Sequence, residues 1–250
     1  MRDKRLMVMK KEQLVEIKKG QTGTGLLIEC DGYVDINSRD NKLLKESIDD
    51  FKSGAANDLP RPFVVSAVFQ KFGIENANGR IYPENVLKRE VEKYQQAIKE
   101  RRAYGELNHP TESAIDGERI CMNIIEQHWV GHTLVGKLEL PITEGFRRYG
   151  ICSNLADTVA QWIVSGLKIG VSSRGLGSVT QQLGKLVVGD DYEIVCWDVV
   201  TQPSTPNAWI ETGDEALQPY LESVEKSDKS VVNENKKDDK FSKFENWLND

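Results

Sequence analysis

Ile169-Gly-Val-Ser-Ser-Arg-Gly-Leu-Gly-Ser-Val179 is the stretch on which the reading of this chain turns. Valine, isoleucine and leucine alternate there with small and polar residues, the pattern of a half-buried strand. Successive strand side chains point to opposite faces, so Ser172 and Ser173 cannot serve the same partner. Glycines at 170, 175 and 177 allow close backbone approach, which is useful where main-chain amides converge on a developing oxyanion. Arg174 and Gly175, just past the serines, are the candidate donors. A second strand pattern runs from Tyr192 to Val200 and carries Asp198 between Trp197 and Val199. A carboxylate in such apolar company is costly to bury without a partner, and Pro203 and Pro206 stiffen the exit from the strand.

Upstream, Tyr104-Gly-Glu-Leu-Asn-His-Pro110 supplies His109, whose backbone Pro110 biases toward an extended conformation. Serine is a poor nucleophile at neutral pH. It needs an imidazole within hydrogen-bond reach, and the imidazole needs a third group to fix its tautomer. His109, Ser172 and Asp198 could fill those roles. Glu106 is a rival acid, but its odd-numbered offset from His109 in an extended segment sends it to the opposite face.

These three segments, in the order His, Ser, Asp, resemble the prohead core protein proteases of T-even-like tailed phages, and Asn78-Gly-Arg-Ile-Tyr-Pro83 looks like a further stretch of that family. The resemblance runs from about Phe63 to Trp209. It implies a serine endopeptidase with Ser172 as nucleophile, His109 as base and Asp198 as third member, needing no metal or cofactor. It also implies substrates among the capsid and scaffold proteins of the prohead, cleavage after Glu in (Ile/Leu)-x-Glu, and packaging inside the phage head in the host cytoplasm. Leu14-Val-Glu16 and Leu27-Ile-Glu29 fit the cleavage pattern as self-processing sites, with Glu16 first because its surroundings are the less apolar. A catalytically silent component of the prohead core using the same fold is the alternative.

The remaining elements frame an α+β protein. Strands are expected at Gly25–Cys30 and Phe63–Phe69, helices at 41–51, 83–102 and 153–166, and a hairpin over 122–140 that turns near Gly131. Strands with a few interspersed helices suit a mainly antiparallel β-barrel, and the resemblance implies a herpesvirus-assemblin-like one. Residues 63–222 form the expected protease domain. Residues 1–62 are an N-terminal extension that can belong to it. Residues 223–250 are a polar, disordered tail ending in a short amphipathic helix, with Phe241, Phe244 and Leu248 on one face.

Composition narrows the rest. The chain has 250 residues, 39% of them hydrophobic, enough for one substantial core. Its net charge of −6 argues against a nucleic-acid partner, and no apolar run reaches membrane-spanning length. Cys30, Cys121, Cys152 and Cys196 are isolated and are expected as free, mostly buried thiols. His128 and His132 have the spacing of zinc ligands on a helix, but a hairpin would place them astride its turn, so no metal site is expected.

Overall fold

The computed structural model describes residues 15–110 and 113–201. The tail 223–250, its amphipathic helix, and Pro203 and Pro206 lie outside the described residues.

A curled, mixed, mostly stranded half-barrel with a few helices accounts for the described chain. Its strands are β1 (Gly23–Val34), β2 (Phe63–Lys71), β3 (Arg80–Ile81), β4 (Tyr104–Glu106), β5 (Ile120–Val130), β6 (Thr133–Leu140), β7 (Ile169–Gln182), β8 (Lys185–Val188) and β9 (Glu193–Val200). They lie in the order β3-β8-β7-β1-β2-β6-β5-β4, with β9 pairing off this path against β7. The pairings are antiparallel except that of β3 with β8, which makes the sheet mixed. An isolated parallel bridge between Leu107 and Val199 ties the segment after β4 to β9.

The strand signals translate directly. The hairpin of β5 and β6 turns at Gly131, whose φ of 58° suits a residue without a Cβ. β7 is long enough to pair with β1 along one edge and with β9 and then β8 along the other. β1, from the segment set apart as an N-terminal extension, sits between β7 and β2.

Among the described residues four α-helices dress the sheet: α1 (Lys42–Ser53), α2 (Glu84–Lys99), α3 (Glu144–Tyr149) and α4 (Leu155–Val164). α2 begins after Pro83, and α4 is capped by the Asn154 side chain, which accepts from the Asp157 amide at 2.7 Å. The buried side of α4 is Ala156, Val159, Ala160, Ile163 and Val164, while Leu155 and Trp162 are only partly covered. That face is rotated slightly from the expected Leu155, Val159, Trp162, Ile163 stripe, because Asp157 turns inward to bond Thr143 and Ser153. Apolar side chains of β2, β5, β6 and β7, among them Val65, Ile124, Leu138 and Val171, meet these helices in one core, with Trp197 edge-on to Phe69 and Tyr94. A smaller core joins Tyr82, Val86 and Leu87 to Val179, Val188 and Tyr192. Among the described residues no helix is long and apolar enough to cross a membrane.

Candidate active site

The register of β7 with its two neighbours separates the serines. Ser172 lies opposite Asp198 of β9, whereas Ser173 lies opposite Trp197 of β9 and Glu29 of β1. Directly opposed residues share a face of the sheet, so Ser172 and Asp198 are neighbours and Ser173 belongs to the other side. Both serines are fully buried.

His109 reaches the same place from the end of β4. The amide of Asn108 donates to the Val199 carbonyl at 2.8 Å, and Asn108 takes a left-handed φ of 63°, a conformation that asparagine tolerates better than most residues. The chain thereby docks against β9 and turns, and His109 Nδ1 comes to 3.0 Å from Asp198 Oδ2. Burial pulls the His109 pKa down, but the hydrogen bond to Asp198, with contributions from Cys30 and from the Asp198 charge, outweighs it and raises the imidazole from 6.5 to about 9.

Asp198 is fully buried and richly held. Its Oδ1 accepts from the Glu106 amide at 3.1 Å and lies 3.3 Å from both Arg174 Nη2 and Cys196 Sγ, while Arg174 Nε is 3.1 Å from Oδ2. The guanidinium of Arg174 also reaches Glu106 Oε1 at 3.3 Å. Glu106, the rival acid, turns to Arg174, to Arg119 and to the amide of Asp116 rather than to His109, whose direction is set by the left-handed turn at Asn108 instead of by an extended offset.

Cys30 is the residue that sequence reasoning missed. Between Glu29 and Gly32 the pairing of β1 with β7 slips, so that Cys30 and Asp31 together oppose Ser172. This bulge sets Cys30 Sγ 3.2 Å from Ser172 Oγ and 3.8 Å from His109 Nε2, between the two. Nothing in a lone cysteine within an apolar run announces such a bulge. Of the other cysteines, Cys121 and Cys196 are buried and Cys152 is exposed, and burial, first of all, pushes all three thiols up.

Immediately before the bulge, Glu29 is fully buried and its carboxylate collects four donors: Arg80 Nη1 at 2.6 Å, Asn78 Nδ2 at 2.6 Å, Asn76 Nδ2 at 2.8 Å and the Tyr82 hydroxyl at 2.9 Å. The Asn78-Gly-Arg-Ile-Tyr-Pro83 stretch therefore acts as a clamp on β1. This corrects the expectation that Glu29 is an accessible cleavage candidate, because its peptide bond lies inside a paired strand. Glu16 is partly buried and bridges Leu26, and Ile17 donates its amide to the Leu26 carbonyl at 2.9 Å while its own carbonyl receives Arg80. The segment holding Glu16 is thus docked on β1.

Arg174 and Gly175 occupy the position in β7 where the pairing with β9 also slips, from Cys196 to Ile194. A packing reason accounts for the glycines there. A Cβ on Gly175 would meet the Tyr192 ring at 2.4 Å, and one on Gly177 would meet the Tyr192 backbone at 2.9 Å. His128 sits on β5 with its Nδ1 3.3 Å from Glu126, and His132 lies in the turn against the Phe72 ring.

A buried carboxylate backing an imidazole, with a hydroxyl one side chain away on the neighbouring strand, is the equipment of the serine hydrolases. The family model described as prohead core protein serine protease matches residues 26–217, and the chain belongs to that family of peptidases. The prohead core protein protease of Enterobacteria phage T4 is 32% identical over 149 residues, covering 58% of this chain and 66% of that protein, so the match spans just under two thirds of the relative's length. The solved structure of the bacteriophage T4 capsid assembly protease superposes with a TM-score of 0.56 at 23% identity, over 72% of this chain and 99% of that one, a likeness of fold.

Proposed function

We propose that the chain is a serine endopeptidase of phage head maturation in which Ser172 is the nucleophile, His109 the general base and Asp198 the group that orients and supports His109. The observation that carries this reading is the 3.0 Å contact between His109 Nδ1 and buried Asp198, on the strand directly opposite Ser172, in a chain of this family.

In the free protein the Ser172 hydroxyl is engaged by Cys30. Productive geometry needs a rotation of the Ser172 side chain away from the thiol and toward Nε2, a tightening that catalytic hydrogen bonds commonly undergo when substrate binds. Ser172 Oγ then attacks the scissile carbonyl while Nε2 takes its proton. Collapse of the tetrahedral intermediate returns that proton to the leaving amine, and water repeats the sequence to release the acyl group. The main-chain amides of Arg174 and Gly175 are the proposed oxyanion donors, beside the slip that leaves Val195 of β9 without a ladder partner.

Capsid and scaffold proteins of the prohead are the proposed substrates, cut after Glu in (Ile/Leu)-x-Glu inside the immature head in the host cytoplasm. The herpesvirus-assemblin-like closure of the barrel belongs to the same reading and is supported by the bridge from Leu107 to Val199. Self-cleavage is assigned to the Glu16–Ile17 bond and proceeds once that segment leaves β1, since a protease takes its substrate as an extended, accessible strand. The test is digestion of a capsid or scaffold precursor by purified protein, with mass spectrometry of the new termini. Termini following Glu in the stated pattern are expected, together with a slow new N-terminus at Ile17. Cuts after unrelated residues would refute the specificity, and an intact precursor would favour a catalytically silent core component.

A further inference from the structure

The sequence places Arg174 two residues beyond Ser172, on the same face of β7. In the structure its guanidinium is completely buried and has three acceptors around it on β9 and β4. Nε lies 3.1 Å from Asp198 Oδ2, and Nη2 lies 3.3 Å from Asp198 Oδ1, 3.0 Å from Cys196 Sγ and 3.3 Å from Glu106 Oε1. Nη2 donates to Oδ1 while Nε stands at ion-pair distance from Oδ2, so one guanidinium faces both oxygens of the carboxylate.

Besides Arg174, Oδ1 of Asp198 accepts from the Glu106 amide and the Cys196 thiol, whereas Oδ2, the oxygen that meets His109, has Arg174 Nε as its second neighbour. Two buried carboxylates, Asp198 and Glu106, also stand close together with Arg174 between them. Without a cation at that point they would repel each other, and a buried charge left without its partner is strongly unfavourable. Arg119, the other cation near Glu106, is more than a third exposed and lies 3.6 Å from Oε2, whereas Arg174 meets Oε1.

We propose that Arg174 is a positioning residue for the reaction: it clamps the Asp198 carboxylate in the plane that His109 Nδ1–H requires and separates it electrostatically from Glu106. It touches neither His109 nor Ser172 in any contact described above and works through Asp198, so the proposal rests on Asp198 being the third member of the catalytic set. The role differs from that of a backbone oxyanion donor, since it belongs to the side chain.

The experiment compares wild type, Arg174→Lys, Arg174→Gln and Asp198→Asn for kcat and KM on one peptide substrate, for the far-downfield proton resonance of a carboxylate-bound imidazole Nδ1–H, and for folding by circular dichroism. Arg174→Gln is expected to lower kcat by about 10^2- to 10^3-fold, short of the ~10^4-fold typical when the Asp itself is changed to Asn, with KM altered less than about threefold. The Nδ1–H resonance should be lost or shifted. Arg174→Lys keeps the charge without the fork and should fall between the two. If Arg174→Gln does not fold, the double variant Arg174→Gln/Glu106→Gln, which removes one charge of each sign, takes its place with the same expectation. A folded variant with kcat within threefold of wild type, an unchanged resonance, or a loss confined to KM would overturn the proposal. Full activity in Asp198→Asn would overturn the underlying assignment instead, so the two failures are distinguishable.

Discussion

Replacing Arg80 with methionine should unfold this protein far more readily than its distance from the catalytic groups suggests. Arg80 and Glu29 form an ion pair at 2.6 Å with both side chains essentially without solvent exposure, and Arg80 also donates to the carbonyls of Ile17 and Lys18. Breaking one side of such a pair costs about 3–5 kcal/mol. The lower end applies here because Asn76, Asn78 and Tyr82 still donate to the carboxylate. At about 2–4 °C per kcal/mol for a domain of this size, the melting temperature should drop by roughly 6–12 °C. Tyr82→Phe removes one hydrogen bond to a charged group and should cost about 1.5–3 kcal/mol. Glu29→Leu combined with Arg80→Met removes both charges, so its cost should fall well below the sum of the single variants. Urea unfolding of wild type, Arg80→Met, Glu29→Leu and the double variant, analysed as a double-mutant cycle with Tyr82→Phe measured alongside, tests this. A loss below about 1 kcal/mol in Arg80→Met, or strict additivity in the cycle, would refute the view that the 78–83 stretch clamps β1 through Glu29.

Asp198→Asn should keep the fold and lose about 10^4-fold in kcat, because an amide at that position favours the wrong tautomer of His109; near-normal turnover with circular dichroism unchanged would move the third role elsewhere. A base must be neutral to accept the serine proton, so kcat/KM should fall as pH drops through the His109 pKa, with the limb near pH 9 in the free enzyme. A limb well below 6.5 would mean that Asp198 does not offset the burial of the imidazole. Asp31, beside Cys30 in the bulge, has its pKa raised from 3.8 to about 7, by burial first and then by Glu29. A carboxyl whose folded value is raised favours folding when protonated and weakens it as pH climbs from about 4 to 7. Asp31→Asn should therefore stabilise the protein by about 1–3 kcal/mol at pH 8 and leave it unchanged near pH 4, as read from thermal melts at the two pH values.

The strand periodicity of 169–179 carried real information about the site, because alternation depends only on local geometry: it puts Ser172 and Ser173 on opposite faces, and the register with β9 does the same. Apolar flanks around Asp198 likewise announce its burial, and Pro110 an extended approach for His109. What the sequence withholds is non-local. The Leu27-Ile-Glu29 run reads as an accessible cleavage pattern because the groups that make a buried Glu29 tolerable, Asn76, Asn78, Arg80 and Tyr82, arrive from far along the chain. The bulge that brings Cys30 to Ser172 is a property of pairing between β1 and β7, with no signature in either strand alone. The Tyr192 ring that Gly175 and Gly177 make room for likewise comes from another part of the chain, with no signal beside the glycines. α3 has a Thr143 cap and a left-handed Gly150 at its end, yet six residues are too few for a periodic apolar stripe to stand out.

The most direct test of the central claim is the rate of precursor cleavage by wild type, Ser172→Ala and Ser173→Ala, each verified as folded. Ser172 faces Asp198 and Ser173 faces Glu29 and Trp197, so Ser172→Ala should lose on the order of 10^4- to 10^6-fold while Ser173→Ala keeps much of its activity. Loss in Ser173→Ala with Ser172→Ala still active would contradict the assignment of the nucleophile and, with it, the catalytic face of the sheet.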